Sequence, residues 1–396
     1  MTLGVRSFSL IYTWSIVALI CAATTLSSPS TVQAGGVYLT PLGAEPAARG
    51  GARVAGVSDP HALWYNPAGL AYSKRQLVVD LNMPIARASF TRFMPDGTSD
   101  VTANAKATVL PTPVIAYSDD FGLRRWGFGV GIIVPPAYAL SWPNEVNGGP
   151  APQRYSILNT NGSAIGSLAL AAAYRPLDRL SLGAALYITS AQVAGKVAIS
   201  ACDYAFCSQP EAPEWEGRTS FLLGPVVTAS AIFGARWDFD HVRIGGSVQL
   251  RTKLAGDAQV KIALPDQSIF DGVTLQNAKG GDDLHAKMSL TLPTIIRLGV
   301  EGDLDPNTKV ELGGTWENWA VQRNIAVRPI GVVARDVPGV GDVRAESVSL
   351  ATNMRATWAL NLGGTHDFSR YLHGRKLFGH AGFMFESSSL APRDLR

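Results

Sequence analysis

Apolar and polar residues alternate with a period of two along most of the chain after residue 73, and this pattern predicts β-strands whose two faces differ in polarity. The segment VRIGGSVQLRTKL is a clear example. Its apolar face would carry Val242, Ile244, Val248, Leu250 and Leu254, and its polar face would carry Arg243, Ser247, Gln249, Arg251 and Lys253.

Three later segments repeat the pattern. Their apolar faces hold Ile296, Leu298 and Val300, then Val310, Leu312 and Trp316, then Met354, Trp358, Leu360 and Leu362. The opposite faces hold Arg297, Glu301 and Asp303, then Lys309, Glu311 and Glu317, then Arg355, Thr357 and Asn361. We predict about eleven strands, which begin near Gln76, Lys106, Arg125, Gly162, Leu180, Ser220, Val242, Ala286, Thr308, Ser347 and Lys376.

Alternation alone fits either a soluble β-sandwich or a transmembrane β-barrel. Three features favour the barrel. Many segments are long enough to cross an apolar band of about 25 Å. Tryptophans stand near segment ends, as an interfacial girdle requires: Trp126, Trp142, Trp237, Trp316 and Trp319. Tight turns such as RPLDRL, WDFDHV and DLDPNT alternate with long polar connections at 144–153, 200–218 and 328–347. We therefore predict an all-β fold, an antiparallel transmembrane barrel, although eleven is an unusual count because such barrels normally close with an even number.

The N-terminal residues 1–34 predict a secretory signal peptide. They contain Arg6, an apolar run from Ile11 to Ala23, and the small-residue cleavage signal Val32-Gln33-Ala34. Attachment of a lipid at Cys21 is the weaker alternative, because Ile20 stands where a small residue is normal. In the exported chain, Cys202 and Cys207 are expected to form a local disulfide, since no further metal ligands lie nearby.

Composition excludes several functional classes. Only 16% of the residues are charged and the net charge is +3, without a cluster of Lys and Arg, so no nucleic-acid partner is expected. The six histidines show no His-x-x-x-His spacing, and no Gly-x-Ser-x-Gly motif is present. We therefore predict that the protein is not an enzyme and needs no metal or other cofactor.

The segment 35–73, which precedes the first strand, is rich in Gly and Ala and too apolar for a simple linker. Such a segment is able to pack inside a barrel. Within HALWYNPAGLA, Asn66-Pro67 would end one helical turn and start another, and Ala68 and Gly69 would allow close packing. The alternative is an ordinary N-cap and turn.

The run from Gly35 through ALWYNPAGLA resembles the N-terminal hatch of the FadL family, outer-membrane transporters of long-chain fatty acids and other hydrophobic molecules. SLTLPTIIRLGVEGDLDPNTKVELGGTWENWA and LFGHAGFMFESSSLAP are similar to further strands of that family. The resemblance implies a bacterial outer-membrane protein with a 14-stranded barrel plugged by the hatch. Residues 74–396 would form the barrel, and three further family strands would raise eleven to fourteen. Because the chain ends at Arg396, we predict a barrel that is incomplete at its C-terminus.

The resemblance also implies a route. A hydrophobic small molecule would bind at the extracellular side, reach a site beside the hatch, and leave sideways into the bilayer at a kink in the third strand.

The hatch start, Gly35, Gly36 and Val37, would contribute to the internal site, and Trp64, Tyr65, Asn66, Pro67 and Ala68 belong to the hatch core. We expect a monomer.

The residues of WGFGVGIIVPPAY are compatible with such an exit. Gly127, Gly129 and Gly131 share a bare inward face. Pro135 and Pro136 withhold two ladder donors, so that they either open the wall or simply end the strand.

Cations on the lumen face offer a partner for a carboxylate ligand. They are Arg251, Lys253, Arg297 and Arg355. The alternative role, which we favour, is to balance lumen acids such as Glu301 and Glu311. A structural or adhesive outer-membrane protein and a general porin are the rival functions.

Overall fold

The computed structural model describes residues 41–83, 85–94, 97–106, 108–109, 111–135, 140–155, 157, 159–201, 212–369 and 376–389. The predicted signal peptide, Gly35, Gly36, Val37, Pro136 and the predicted Cys202–Cys207 disulfide lie outside these ranges. The helices are short: α1 (Ala44–Ala48), α2 (Ala62–Tyr65), and the 3₁₀ helices η1 (Pro67–Tyr72), η2 (Pro213–Trp215), η3 (Ser268–Phe270) and η4 (Trp319–Gln322). Among the residues described, none of the helices has the length and apolar character needed to cross a membrane.

Strands make up most of the described chain. They are β1 (Gln76–Asn82), β2 (Ile85–Ala86), β3 (Ser89–Phe90), β4 (Ala103–Asn104), β5 (Thr108–Val109), β6 (Thr112–Asp119), β7 (Trp126–Ile133), β8 (Glu145–Val146), β9 (Gly149–Pro150), β10 (Ala164–Leu177), β11 (Leu180–Ser200), β12 (Glu216–Asp238), β13 (Val242–Gln249), β14 (Thr252–Ala263), β15 (Thr274–Gln276), β16 (Leu284–Leu292), β17 (Ile295–Asp305), β18 (Thr308–Glu317), β19 (Asn324–Pro329), β20 (Val333–Val337), β21 (Gly341–Arg344), β22 (Val348–Ala351), β23 (Thr357–Asp367) and β24 (Phe378–Glu386).

Fifteen of these strands form one antiparallel sheet. Its main path follows chain order through eleven strands: β1, β6, β7, β10, β11, β12, β13, β17, β18, β23 and β24. The other four, β14, β16, β19 and β22, prolong β13, β17, β18 and β23 at the end of the sheet that carries the long connections, here called the loop end. The opposite end, with the short connections, is the turn end. The path has the predicted eleven strands, but the single strand predicted near Ala286 is β16 and β17 together.

Along the main path the apolar side chains point outward and the polar ones inward. Leu298 is 63% exposed and Leu312 is 53% exposed, whereas their inward neighbours Arg297 and Glu311 are buried. Trp126, Trp237 and Trp316 lie on the outer surface near strand ends, as predicted. Trp142 and Trp319 do not, because both are buried inside apolar clusters. Apolar residues outside and polar residues inside are the arrangement of strands that cross a bilayer.

The alternation reverses between β13 and β14. Leu250 and Arg251 are neighbours and both exposed, so the residues after them alternate in the opposite phase. As a result Leu254 points inward and is buried, and Lys253 points outward. The predicted faces were therefore wrong for Leu254 and Lys253, because an irregular pair of residues shifts the period-two phase. The alternation also breaks within β12, which bulges opposite β11: Ala191 pairs with Val226, whereas Val193 pairs with Leu223. A third break lies between β16 and β17.

Beyond these breaks the wall has the polarity of an ordinary water-exposed sheet. Its inward side forms an apolar cluster that includes Phe221, Leu223, Val260, Leu284 and Met288. We call this part the loop-end wall, which comprises β14, β16, β19, β22 and residues 192–200 and 216–223.

Residues 41–73, here called the hatch, pack against strands from across the whole sheet. A Cβ atom on Gly127 of β7 would lie 1.8 Å from Leu70 O, and one on Gly183 of β11 would lie 2.4 Å from Ala68 N. One on Gly363 of β23 would lie 2.2 Å from Arg49 O. Since β7 and β23 are far apart in the strand order, the sheet must curve around the hatch.

Candidate functional site

The Asn66-Pro67 pair joins the two helical turns of the hatch. Helix α2 ends at Tyr65 and η1 begins at Pro67, whose missing N–H costs nothing at a first helical position. The buried Asn66 amide donates to Val54 O at 3.0 Å and to Ala235 O of β12 at 3.1 Å, and its Oδ1 accepts from the Ala68 N–H. Asn66 therefore fixes the hatch turn and ties it to the wall.

The aromatic residues before this turn fill the space between hatch and wall. Trp64 is buried. The centroids of the Trp64 and Tyr187 rings are 6.4 Å apart in an edge-on arrangement, and the Arg297 guanidinium carbon lies 5.4 Å from the centroid of the Trp64 ring. The Tyr65 hydroxyl donates to Leu42 O and accepts from the Leu42 N–H, both at 2.9 Å. Burial raises the pKa of Tyr65, so its hydroxyl stays protonated as a donor.

Glu311 of β18 receives the backbone of the hatch. Its Oε1 accepts from the N–H groups of Val54 and Ala55 at 2.5 and 3.0 Å, and its Oε2 accepts from the Gly56 N–H at 3.0 Å. Three consecutive donors around one carboxylate form an anion-binding nest. The carboxylate thus satisfies a piece of hatch backbone that has no secondary structure of its own.

Arg49 neutralises the acids of this part of the wall. Its Nη2 lies 2.8 Å from Glu301 Oε2 and 3.6 Å from Glu311 Oε2, and all three side chains are buried. Arg243 Nε lies 2.8 Å from the other oxygen of Glu301. The favoured role of the lumen cations was therefore wrong for Arg251, Lys253 and Arg355, which are exposed, because Arg49 and Arg243 balance Glu301 and Glu311 in their place. Arg297 contacts Gln249 Oε1 at 3.3 and 3.4 Å.

A second ionic cluster joins the hatch to β1. His61 Nδ1 lies 3.0 Å from Asp59 Oδ1, and His61 Nε2 lies 2.7 Å from Asp80 Oδ2 of β1. The Arg53 guanidinium lies between Asp59 and Glu45, so it supplies the positive charge that a metal ion would otherwise bring to Glu45, Asp59 and His61. Burial lowers the pKa of His61, but the hydrogen bonds and charges of Asp59 and Asp80 outweigh it and raise the pKa above 6.5.

The glycines predicted on the inward face of β7 differ in what they touch. Gly127 lies directly against the Leu70 carbonyl, and a Cβ on Gly129 would be 3.1 Å from the Leu70 side chain. A Cβ on Gly131 would instead meet Ala116 and Ile115 of β6. The first two therefore allow the close approach of the hatch, whereas Gly131 makes room for the neighbouring strand.

Pro135 follows the last paired residues of β7. Strand β7 ends at Ile133, which pairs with both Val114 and Ser167, and the Val134 N–H donates to Pro113 O at 3.2 Å. In the part of the chain that is described, Ala164, Ile165 and Gly166 of β10 pair with β11 and with no residue of β7. Among the described residues, β7 is thus paired with β10 from Trp126 to Ile133, and this pairing stops at Ile133.

An apolar interior leads from the loop end toward the hatch. The cluster of the loop-end wall shares Val193, Val226 and Leu290 with a second cluster around Leu254, Leu292 and Trp319, against which Ile165 packs. Below it, Trp64 and Leu63 of the hatch belong to a third cluster with β6, β7, β10, β11 and β12.

A family model for outer membrane transport proteins, described as "Outer membrane protein transport protein (OMPP1/FadL/TodX)", matches residues 25–394. The chain belongs to this family. Membership confirms the resemblance to FadL, and with the solved structures below it confirms the predicted antiparallel transmembrane barrel and the bacterial outer membrane as its location.

Solved FadL/TodX relatives share the fold at low sequence identity. A Pseudomonas aeruginosa FadL homologue is 16% identical with a TM-score of 0.62, and the match covers 90% of this chain and 82% of that one. The Pseudomonas putida toluene transporter TodX is 15% identical with a TM-score of 0.60, over 89% and 85%. The monoaromatic hydrocarbon channel CymD is 14% identical with a TM-score of 0.57, over 91% and 86%. A comparison with curated protein sequences gives no match.

Sequence reasoning did not single out the ionic residues of this FadL/TodX family hatch. Arg49, Arg53, Asp59 and His61 are charged or titratable residues within a Gly- and Ala-rich segment, and that contrast was the available signal. Their partners Glu301, Glu311 and Asp80 are far away in sequence, so only the fold brings the pairs together.

Proposed function

We propose that this chain takes up long-chain fatty acids or other hydrophobic small molecules by passive diffusion across the outer membrane. The observation that carries the proposal is the apolar interior that runs from the loop-end wall to the hatch. Each methylene of an acyl chain gains about 0.8 kcal/mol on leaving water, so an apolar route spares the ligand a large hydration barrier. TodX and CymD, by their descriptions a toluene transporter and a monoaromatic hydrocarbon channel, support a hydrophobic ligand.

The hatch residues would form the floor of the route. Trp64 and Arg297 lie together below the apolar clusters, so an apolar ligand would meet the indole and a carboxylate would meet the guanidinium. Gly35, Gly36 and Val37 would complete this site. We infer that the chain transports rather than catalyses, because its family is one of transport proteins, and that it works as a monomer in the lipid bilayer.

The exit would lie in the wall just beyond β7. Pro135, like Pro136 after it in the sequence, has no N–H to donate, and Ala164, Ile165 and Gly166 of β10 lack a β7 partner among the described residues. Ile165 packs against the interior cluster around Trp319, so apolar side chains continue from the lumen to this weak part of the wall. Leaving sideways takes the ligand directly into the hydrocarbon of the bilayer.

Uptake by cells that express the full chain tests the transport route. We would measure labelled long-chain fatty acid and labelled toluene for Leu290→Gln, which places an amide in the apolar interior, and for Ser289→Gln, which changes the neighbouring outward residue. Leu290→Gln should reduce uptake severalfold and Ser289→Gln should not. Equal uptake by both variants, or sugar flux that exceeds hydrophobic uptake, would contradict the proposal.

A reversible cross-link tests the exit. A Cβ on Gly166 would lie 3.6 Å from Val134 Cγ2, so Val134→Cys with Gly166→Cys should form a disulfide across the weak part of the wall. Oxidation should block uptake and reduction should restore it. The control pair, Val130→Cys with Leu170→Cys, is directly opposite within the paired part of β7 and β10, and its oxidation should leave uptake unchanged. Full uptake by the oxidised Val134/Gly166 variant would exclude this exit.

A further inference from the structure

The outward side of the loop-end wall is basic. Its exposed cations are Lys196, Arg218, Lys253, Lys261, Lys287 and Arg328, whereas its acids are Asp257 and Glu216. Both acids already have partners, because Lys287 Nζ lies 3.1 Å from Asp257 Oδ1 and Arg154 Nε lies 2.6 Å from Glu216 Oε1. We call the other five cations, Lys196, Arg218, Lys253, Lys261 and Arg328, the basic outer face. None of them has an ion-pair partner within the described ranges.

Three of these cations are close together. Lys196 of β11 and Lys261 of β14 lie directly opposite Ser220 of β12, one on each side, and Arg218 is two residues along the same strand. Neighbouring strands are about 4.8 Å apart, so the backbones of Lys196 and Lys261 are separated by about 10 Å. Like charges at this spacing repel one another, and an anion between them would remove the repulsion.

A pocket opens on the same outward side. Described residues of the connection between β7 and β10 lie beside β11 and β12, where Trp142, Gln153, Arg154, Lys196, Glu216 and Arg218 line a small open pocket of about 40 Å³. Trp142 is 7% exposed and Gln153 is 2% exposed. In the described part of the chain, neither Trp142 Nε1 nor Gln153 Oε1 has a hydrogen-bond partner, although Gln153 Nε2 donates to Pro143 O at 2.9 Å. Buried polar groups are normally paired, so a free donor and a free acceptor beside two cations point to a polar ligand.

The height of these residues above the apolar band restricts the ligand. The outward apolar residues end at Ile188 in β11 and Leu250 at the end of β13. A tilted strand rises about 2.5 Å per residue along the membrane normal, which places Lys253 about 8 Å and Lys196 about 20 Å above the band. A phospholipid headgroup layer is only about 5 to 8 Å thick. Lys253 is within its reach, whereas Lys196 and Arg218 require a larger headgroup.

We propose that the basic outer face binds the phosphorylated sugar headgroup of a glycolipid in the outer leaflet. The phosphates match the unpaired Lys and Arg side chains and accept from Trp142 Nε1. The sugar hydroxyls donate to Gln153 Oε1. The pocket lies on the outer side of the wall, opposite the apolar interior, so this binding is separate from the transport route.

Native mass spectrometry of the full chain in lipid nanodiscs tests this proposal, with a bisphosphorylated lipid A–core glycolipid as the probe and its enzymatically dephosphorylated form as the second probe. Lys196→Gln with Arg218→Gln should weaken binding of the phosphorylated probe by about thirtyfold, since each cation near a membrane surface contributes about fivefold. The dephosphorylated probe should bind the unchanged protein as weakly as the phosphorylated probe binds the Lys196/Arg218 variant. Lys74→Gln with Arg179→Gln removes two exposed cations at the turn end and should have no effect.

Trp142→Phe keeps the ring and removes the N–H, and it should weaken binding of the phosphorylated probe severalfold. Equal affinity of the Lys196/Arg218 variant and the unchanged protein, or equal affinity for both probes, would overturn the proposal. So would a loss of fatty-acid binding in the Lys196/Arg218 variant without a loss of glycolipid binding, because the pocket would then serve the transported ligand. Hydrophobic uptake should be normal in this variant, so a failure of the transport proposal would show separately.

Discussion

Glu301 and Glu311 lie directly opposite each other in β17 and β18, and both face the hatch. Two like charges in this position destabilise a sheet unless another group compensates them. Arg49 of the hatch bridges both carboxylates, and the hatch backbone donates three N–H groups to Glu311. The hatch is therefore part of the electrostatic structure of the wall as well as its plug.

Arg49→Met should strongly destabilise the protein. Removing Arg49 takes away the cation that the two buried carboxylates share, and Arg243 and the hatch N–H groups compensate them only in part, so the loss is about 3 kcal/mol in free energy of unfolding. Denaturant unfolding in detergent measures the change. Arg179→Met breaks an exposed pair with Asp240 and should cost less than about 1 kcal/mol. Adding Glu301→Gln to Arg49→Met should recover part of the loss, and a further loss instead would contradict the assigned role.

The contact between His61 and Asp80 should weaken at high pH. Because the pKa of His61 is raised above 6.5, its contribution is complete below pH 6.5 and is lost as the pH rises through the folded value. The charged groups around it are Asp59, Asp80, Arg53 and Glu45.

Hydrogen exchange of the hatch amides, corrected for intrinsic rates, measures this weakening. Protection in the unchanged protein should be lower at pH 9 than at pH 6, and His61→Gln should abolish the difference. His285→Gln, which removes an exposed histidine at the loop end, should retain it. A pH dependence that persists in His61→Gln would assign the effect to another group.

Gly127→Ala should displace the hatch. The added Cβ would lie 1.8 Å from Leu70 O, a backbone atom that has no rotamer with which to move away. Overpacking of this kind costs about 1 to 3 kcal/mol or more. Gly302→Ala is the matched control, because a Cβ there meets nothing within 4 Å. Limited proteolysis within residues 41–73 should become faster for Gly127→Ala alone, and equal rates for the two variants would contradict the close approach.

The outward face of the sheet changes from apolar to polar between β13 and β14, and this change predicts how an added outward charge affects stability. Leu298→Lys places a cation among the outward apolar residues and should cost about 2 to 4 kcal/mol when the barrel unfolds from vesicles. Ala255→Lys adds the same charge to the outer side of the loop-end wall and should change stability little. If the two variants lost similar free energies of unfolding, the edge of the outward apolar band would not lie between Leu298 and Ala255.

Sequence alone predicted the faces of the membrane strands because period two is a purely local property. Arg243, Ser247 and Gln249 lie inward and Val242, Ile244 and Val248 outward, as the pattern indicated. The prediction failed at Leu254 because the pattern carries no mark of a phase shift. Leu250-Arg251 contains neither Gly nor Pro, whereas Pro293-Thr294 contains a proline, and the structure divides the one predicted strand there into β16 and β17.

The hatch was recognisable from its Gly- and Ala-rich composition and from Asn66-Pro67, but its contacts were not. Asn66 reaches Ala235, and Arg49 reaches Glu301, across long stretches of chain. Sequence periodicity describes neighbours on one strand, and these contacts depend on how the sheet curves.

The closeness of Gly363 and Gly382 to the Arg49 backbone limits which hatch this wall can hold. A foreign hatch would fit only if its backbone passes these glycines as closely and if it carries a cation that faces Glu301 and Glu311. Chimeras would have to exchange the plug together with the matching row of wall residues. In evolution, the two would be expected to change in step.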